Sequence, residues 1–540
     1  MKMVRYAVIL LPVILASCPS PSGSSGPVYV TESRSFELVN DGKEKYLAII
    51  NLSPRQGDLR FEFPASARSL AGTGSRTLAP ARGRSAFSPN NEAIFKDLKA
   101  ASQFNANPPP VSSAPRRLLR AGVTRAVGDT KDFWVQNAQR TFIERPATLQ
   151  AQGTDCNIWV VNSNYNDSSS SAADNAITTA QADALAAMFD AIYPLEVKLL
   201  GGYEYGGDPA DTATRGGRDG DEKIQILVYD IDEDYSLAQT GGVLGYFWGK
   251  DFYTDAELDR YKETKGLRSN NAEIFYIDAH FLDSRPNSIY STLIHEFQHM
   301  INFNQKSIKR NLISETWYNE MLSMLAEDVI GPKVGIPSIS GPIGERIPLF
   351  LDCYDLVGVD EWLEGEDAIL SYSTVYAFGA YLIRNYGGPV LIHKMLTDNT
   401  ANHNSVTQAL RNFDGSLSFE KALEQYVEAL LYSTTKGGTA GKLSFDKSVS
   451  SSIIGETYTA AAFDIWNVWS KWHDEFDRPA HQGPVIFDHL PDQPVDFLMQ
   501  YPAAAHSIRL FKIPHTLTGT WEITLTRPEH VSIKLDVLGY

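Results

Sequence analysis

Three cysteines in 540 residues leave little room for thiol chemistry. No Cys-x-x-Cys pair occurs, which excludes thiolate zinc ribbons and thioredoxin-type redox sites, and three thiols cannot staple a disulfide-dense scaffold. Beyond the N-terminus no stretch approaches 18 consecutive apolar residues, so nothing further along reads as a membrane-spanning helix. A basic surplus is also missing: 48 Lys and Arg stand against 65 Asp and Glu, a formal charge of −17. That excludes nucleic acid as the main partner of a chain that would have to neutralise phosphates. No repeat of fixed period is present. What the chain has is a 43% hydrophobic content, too high for disorder throughout. A single core rarely grows beyond about 250–300 residues, so the length implies two to four domains.

The N-terminus carries Lys2 and Arg5, then an apolar stretch from Tyr6 to Ala16 broken by Pro12. A membrane span needs roughly 20 apolar residues, so this shorter stretch reads as a signal-peptide core, residues 1–17. It ends in Leu15-Ala16-Ser17-Cys18, which resembles the lipobox of bacterial lipoproteins. Cys18 is therefore expected to carry the lipid, with residues 18–27 as a Pro/Ser/Gly tether. The expected place is the bacterial cell envelope, lipid-anchored on the extracytoplasmic side. Export puts Cys156 and Cys353 in a disulfide-permissive space, where they either pair or stay as buried thiols.

Composition shifts along the rest of the chain. Residues 28–64 alternate apolar and polar and read as a small β unit, with Asn40-Asp41-Gly42 as a hairpin signal. Residues 65–129 are Ala/Ser/Pro-rich and basic. Within 51–126 there are twelve Lys and Arg against four Asp and Glu. This is either a solvated linker or a pro-segment covering an acidic cleft. Residues 130–440 alternate strands (Cys156–Val161, Lys223–Tyr229, Glu273–Ile277) with helices (Ala180–Ile192, Ser288–Phe303, Thr316–Ile330), then become mostly helical. This is an α+β domain with a helical second half. Residues 441–482 connect it to a second β domain, 483–540.

The chemistry is concentrated in His295-Glu296-Phe297-Gln298-His299. Histidines at i and i+4 lie on one helical face and can present two imidazoles to one metal ion, with Glu296 beside them to take a proton from an activated water. Ile289, Leu293, Phe297, Met300 and Ile301 form the buried stripe, and the histidines fall to one side of it. Asn302 and Gln305 occupy the positions where a metzincin carries Gly and His, so the third ligand lies elsewhere. The segment Trp317-Tyr318-Asn319-Glu320-Met321-Leu322-Ser323 resembles the second-helix signature of gluzincins, in which Glu is the third ligand. That assigns Glu320. Glu315 and Glu327 are the rivals, and Glu327 is expected either to support a ligand from behind or to be a surface charge.

Together, His295–Phe303 and Trp317–Ser323 resemble the hyicolysin family of neutral zinc metallopeptidases. The likeness extends through Ile226–Asp232, Gly241–Trp248 and Glu273–Asp278. Met321 departs from the family, many members of which carry Gly there. The resemblance implies a zincin-like, thermolysin-like domain flanked by small β domains, a zinc ion on His295, His299 and Glu320, and peptide-bond hydrolysis with Glu296 as general base. It implies a downstream Tyr as oxyanion donor, with Tyr372 the first choice and Tyr376 the second. It also makes the strand before the active-site helix, Glu273–Ile277, the edge on which an extended peptide would lie. Asp230, Asp232 and Asp234 read as a solvated loop, with a calcium site as the lesser alternative.

The expected partners are a peptide or protein substrate and a membrane reached through Cys18, with no nucleic acid. Two other readings stay open: a non-catalytic surface-binding lipoprotein on the same scaffold, and a zinc amidase acting on cell-wall peptide. His280 is near enough to the presumed edge to line the cleft. His393, His403, His473, His481, His489, His506, His515 and His530 show no ligand spacing and read as surface or core residues.

Overall fold

The protein's structure, a computed structural model, describes residues 28–38, 41–63, 76–77, 99–109, 123–167, 175–201, 219–236, 242–468, 483–484, 488–489, 497–514 and 519–539. The signal segment, Cys18 and the tether lie outside the described residues, as does much of the basic stretch.

The N-terminal strands are β1 (Tyr29–Leu38), β2 (Lys45–Asn51) and β3 (Gly57–Phe63), followed by the two-residue β4 (Arg76–Thr77) and helix α1 (Lys99–Ala106). The central domain opens with β5 (Thr130–Gln136), β6 (Phe142–Gln152) and β7 (Cys156–Val161), then α2 (Thr179–Leu200) and β8 (Ile224–Tyr229). Next come β9 (Gly245–Phe247), the short α3 (Asp255–Leu258), β10 (Ile274–Asp278) and the short α4 (Phe281–Ser284). The helical half holds α5 (Pro286–Asn302), α6 (Thr316–Ile330), α7 (Pro342–Cys353) and α8 (Ala368–Asn385). It continues with α9 (Val390–Thr397), α10 (Asn402–Arg411) and α11 (Phe419–Leu431). A hairpin, β11 (Val449–Ile453) and β12 (Glu456–Ala460), leads to β13 (Asp488–His489), β14 (Phe497–Ala503), β15 (Ile508–Ile513), β16 (Gly519–Pro528) and β17 (Ile533–Gly539).

This is the α+β class expected. The central sheet runs β5-β6-β7-β8-β10-β9. β7, β8 and β10 are parallel, and the pairs at both ends are antiparallel. The parallel strands are buried at every position because both faces are covered. α2 provides the crossover between β7 and β8. Thr178 caps its start in a reciprocal capping box with Gln181, and Gly201 ends it in a left-handed turn at φ 87°. α5 then packs beside α2 against the sheet. Its Phe297 ring sits 5.1 Å from Phe189 and 5.3 Å from Tyr193, while Phe189 sits 5.8 Å from Phe275 of β10. The helix is thus fixed on its apolar face, and its other face is left for chemistry.

The β segments at the two ends of the chain, separate in sequence, pair with each other. One sheet runs β1-β16-β3-β14-β4 and the other β13-β15-β2-β17. β1 therefore pairs with β16, and β2 with β15 and β17, so no hairpin joins β1 to β2 as expected at Asn40-Asp41-Gly42, of which Asn40 lies outside the described residues. The unbroken run Tyr46-Leu47-Ala48-Ile49-Ile50 has a physical reason. Leu47 and Ile49 enter the sandwich core, while Tyr46, Ala48 and Ile50 enter the core of the central domain. A strand buried on both faces has no polar side to alternate. Cys156 and Cys353 are buried thiols that no disulfide joins. Burial pushes the Cys156 thiol up to about 12.

A buried ion pair ties the helical half together: the Arg384 guanidinium of α8 donates to both carboxylate oxygens of Asp328 on α6, at 2.8 and 3.0 Å. Asp328→Ala strands a fully buried cation and is expected to cost about 3–5 kcal/mol in denaturant unfolding. A loss below about 1 kcal/mol, typical of an exposed pair, would contradict that role.

Candidate metal centre

α5 starts with Pro286 at its first position, where the missing N–H is no loss. Its histidines, one turn apart, stand with ring centroids 4.7 Å apart and planes at 86°. α6 packs against α5 and brings Glu320 to them. Its Oε2 lies 2.9 Å from His295 Nε2 and 3.4 Å from His299 Nε2. The three ligand atoms all lie within 4.8 Å of one another.

The far side of each ring fixes which nitrogen faces the centre. His295 Nδ1 lies 2.7 Å from Glu327 Oε1, and Ser291 Oγ donates to the other Glu327 oxygen. A carboxylate only accepts, so Glu327 keeps a proton on His295 Nδ1 and leaves Nε2, which faces Glu320, as the atom that would give up its proton to a metal ion. His299 Nδ1 lies 3.0 Å from Ser323 Oγ, whose own proton goes to Gln298 Oε1. The hydroxyl therefore accepts from His299, and that ring too turns its Nε2 inward. Two imidazoles turned Nε2-inward and one carboxylate, each ring oriented from behind, form a donor set that fits a divalent metal ion with a position left open.

Charge is arranged to match. Burial opposes ionisation of Glu320, but His299 and His295 outweigh it and hold its carboxyl well below the usual range. Glu296 is also buried, and burial pushes its carboxyl up against the pull of both histidines. One carboxyl is thus set to stay charged and its neighbour to hold a proton more readily.

The cleft over the centre is lined by Gly245–Phe247, Arg285, Asn319, Arg346 and Tyr372. Tyr372 is half-buried, with its ring 6.4 Å from His295, edge-on to Trp362 at 4.8 Å and beneath the Arg346 guanidinium at 5.5 Å. Tyr376 is fully buried one turn further on and does not line the cleft. The expected edge strand is corrected. β10 has β8 on one side and β9 on the other, so the exposed edge is β9. Three residues are too short a run to announce themselves as a strand. His280 packs on Tyr235 and Phe281 and is not among the lining residues. Asp232 is ion-paired with Arg140 at 2.8 Å, and its loop forms no three-ligand cluster among the described residues.

Sequence reading missed Arg285 and Arg346, which carry no motif, and it missed α1. Asn105 of α1 donates to Phe247 O at 2.9 Å and accepts from Gly249 N at 2.7 Å, so part of the basic segment lies against the cleft's edge strand. It also missed a second convergence of His403, His506 and Asp360, whose members lie too far apart in sequence to show a spacing.

Two imidazoles from one helix, a carboxylate from the next and a buried glutamate beside them in an open cleft define a centre of metallopeptidase type. The peptidase M30 family matches residues 136–445, and the chain belongs to that family. The neutral metalloprotease ShpI of Staphylococcus hyicus is 28% identical over 318 residues, which are 56% of this chain and 61% of that relative. The chain therefore spans about three-fifths of the length of that relative.

Glu327→Ala removes the acceptor that fixes His295. It is expected to weaken metal binding by about 10–100-fold in chelator competition. Unchanged affinity would show that His295 needs no such support.

Proposed function

We propose that this protein is an exported, lipid-anchored zinc endopeptidase of gluzincin type. One observation carries the reading: the inward-facing Nε2 atoms of His295 and His299 and the charged Glu320 converge beside buried Glu296 in a cleft bordered by the edge strand β9. Zinc suits this set of two nitrogens and one oxygen, and when bound it supplies Lewis acidity toward a carbonyl and a water.

The chain's own residues do the rest. An extended peptide pairs with β9 and lays its scissile carbonyl over the centre. Glu296 accepts the proton of the attacking water and delivers it to the departing amine nitrogen, a transfer favoured by a carboxyl whose burial strengthens its hold on a proton. Tyr372, on the cleft wall beside His295, donates to the carbonyl oxygen as its charge grows. The anchor reading rests on Leu15-Ala16-Ser17-Cys18 and places the enzyme in the bacterial envelope. A binding protein without turnover would have no use for a buried general base at Glu296.

Hydrolysis of a quenched peptide library tests the reading. Glu296→Gln is expected to lower kcat by about 10²–10⁴-fold with the metal retained. Tyr372→Phe is expected to lower kcat more than it raises KM. Glu296→Gln with undiminished, chelator-sensitive turnover would overturn the mechanism. For the anchor, mass spectrometry of the mature N-terminus should find a lipid on Cys18, lost in Cys18→Ser; an unmodified Cys18 would overturn it.

A further inference from the structure

Asp360, His403 and His506 come from three separate parts of the chain. Asp360 lies in the connection after α7, His403 is the second residue of α10, and His506 sits in the turn between β14 and β15 of the sandwich. One carboxylate oxygen, Asp360 Oδ2, lies 2.8 Å from His403 Nε2 and 2.7 Å from His506 Nδ1. The imidazole rings are 5.4 Å apart with planes at 62°. This repeats the arrangement at the first centre, where one Glu320 oxygen faces two ring nitrogens. Among the described residues these are the two groups of three His or carboxylate ligand atoms that lie within 4.8 Å of one another.

The backbone around the cluster is locked before the side chains meet. Val359 N donates to His506 O at 3.2 Å, and His506 N donates to Ser53 O at 3.0 Å. Arg509 is ion-paired with Asp355 at 3.4 Å. Gly358 lies so close to Ala505 O that a Cβ there would stand 1.8 Å from it. His506 itself is held at φ 42°, in the left-handed region. Such a conformation in a residue other than Gly persists where the surroundings over-determine it. The rings have an aromatic floor: Trp317 and Phe419 pack on His403 at 4.9 and 4.3 Å, and Phe419 on His506 at 5.2 Å. Trp317 belongs to α6, one turn before Glu320.

Charge completes the case. Asp360 is mostly buried, and the ion pairs found for it are with these two histidines. Two imidazole nitrogens and one mostly buried carboxylate are a donor set that a divalent cation matches in charge and ligand type. His403 is the open side, with 34% of its side chain exposed.

We propose that Asp360, His403 and His506 form a second zinc-class metal site, which clamps the β-sandwich to the peptidase domain. Its role is structural, holding the terminal strands against the wall of the catalytic helix pair.

Metal content of the full-length protein, saturated with zinc and then desalted, tests this. Two equivalents per chain are expected in the unaltered protein and one in His403→Gln. Glu320→Gln should also hold one, and zinc should raise its Tm, a rise that adding His403→Gln removes. A single equivalent that persists in His403→Gln overturns the proposal. A single equivalent abolished by His403→Gln sustains this site and counts instead against metal at His295, His299 and Glu320.

Discussion

The packing of α6 against α5 is the contact on which the chemistry rests. Neither helix alone holds a metal site: α5 brings two imidazoles, and α6 brings the carboxylate that faces them and the Glu327 and Ser323 side chains that orient them from behind. Ligands and supports thus come from the same pair of faces, so any shift between the helices would misplace both. The surroundings oppose such a shift. Phe297 fixes α5 to α2, and the Arg384–Asp328 pair fixes α6 to α8.

The site was legible in the sequence where helix periodicity and local spacing sufficed. His295 and His299 are one turn apart, and α6 spans the same Thr316–Ile330 in sequence and structure. A helix of that length with Trp317, Met321 and Leu325 buried leaves Glu320 on the face turned to α5. Features set by tertiary pairing could not be read this way. The edge strand Gly245–Phe247 is too short to have a period, and only its antiparallel neighbour β10 makes it a strand. Arg346 enters the cleft from α7 with no motif to mark it.

The sandwich shows the same limit at larger scale. Tyr29 is paired with Pro528 across almost the whole chain, a register that leaves no local trace. Residues 28–63 were legible as strands but not as partners of residues 497–539. The continuous apolar run in β2 was the available hint, since an alternating strand would have implied one covered face. Here the second face meets the peptidase domain, and Ile508 and Leu510 of β15 do the same. The sandwich built from residues 28–63 and 497–539 is therefore folded onto the domain that carries the metal centre.

The central claim is that His295, His299 and Glu320 hold one metal ion between them. A crystal structure of the zinc-loaded protein, with anomalous data collected at the zinc edge, tests it most directly. The account predicts an anomalous peak about 2.0–2.2 Å from the Nε2 atoms of both histidines and from a carboxylate oxygen of Glu320. Zinc-loaded crystals with no peak at that point, or with a peak ligated by other residues in its place, would contradict it.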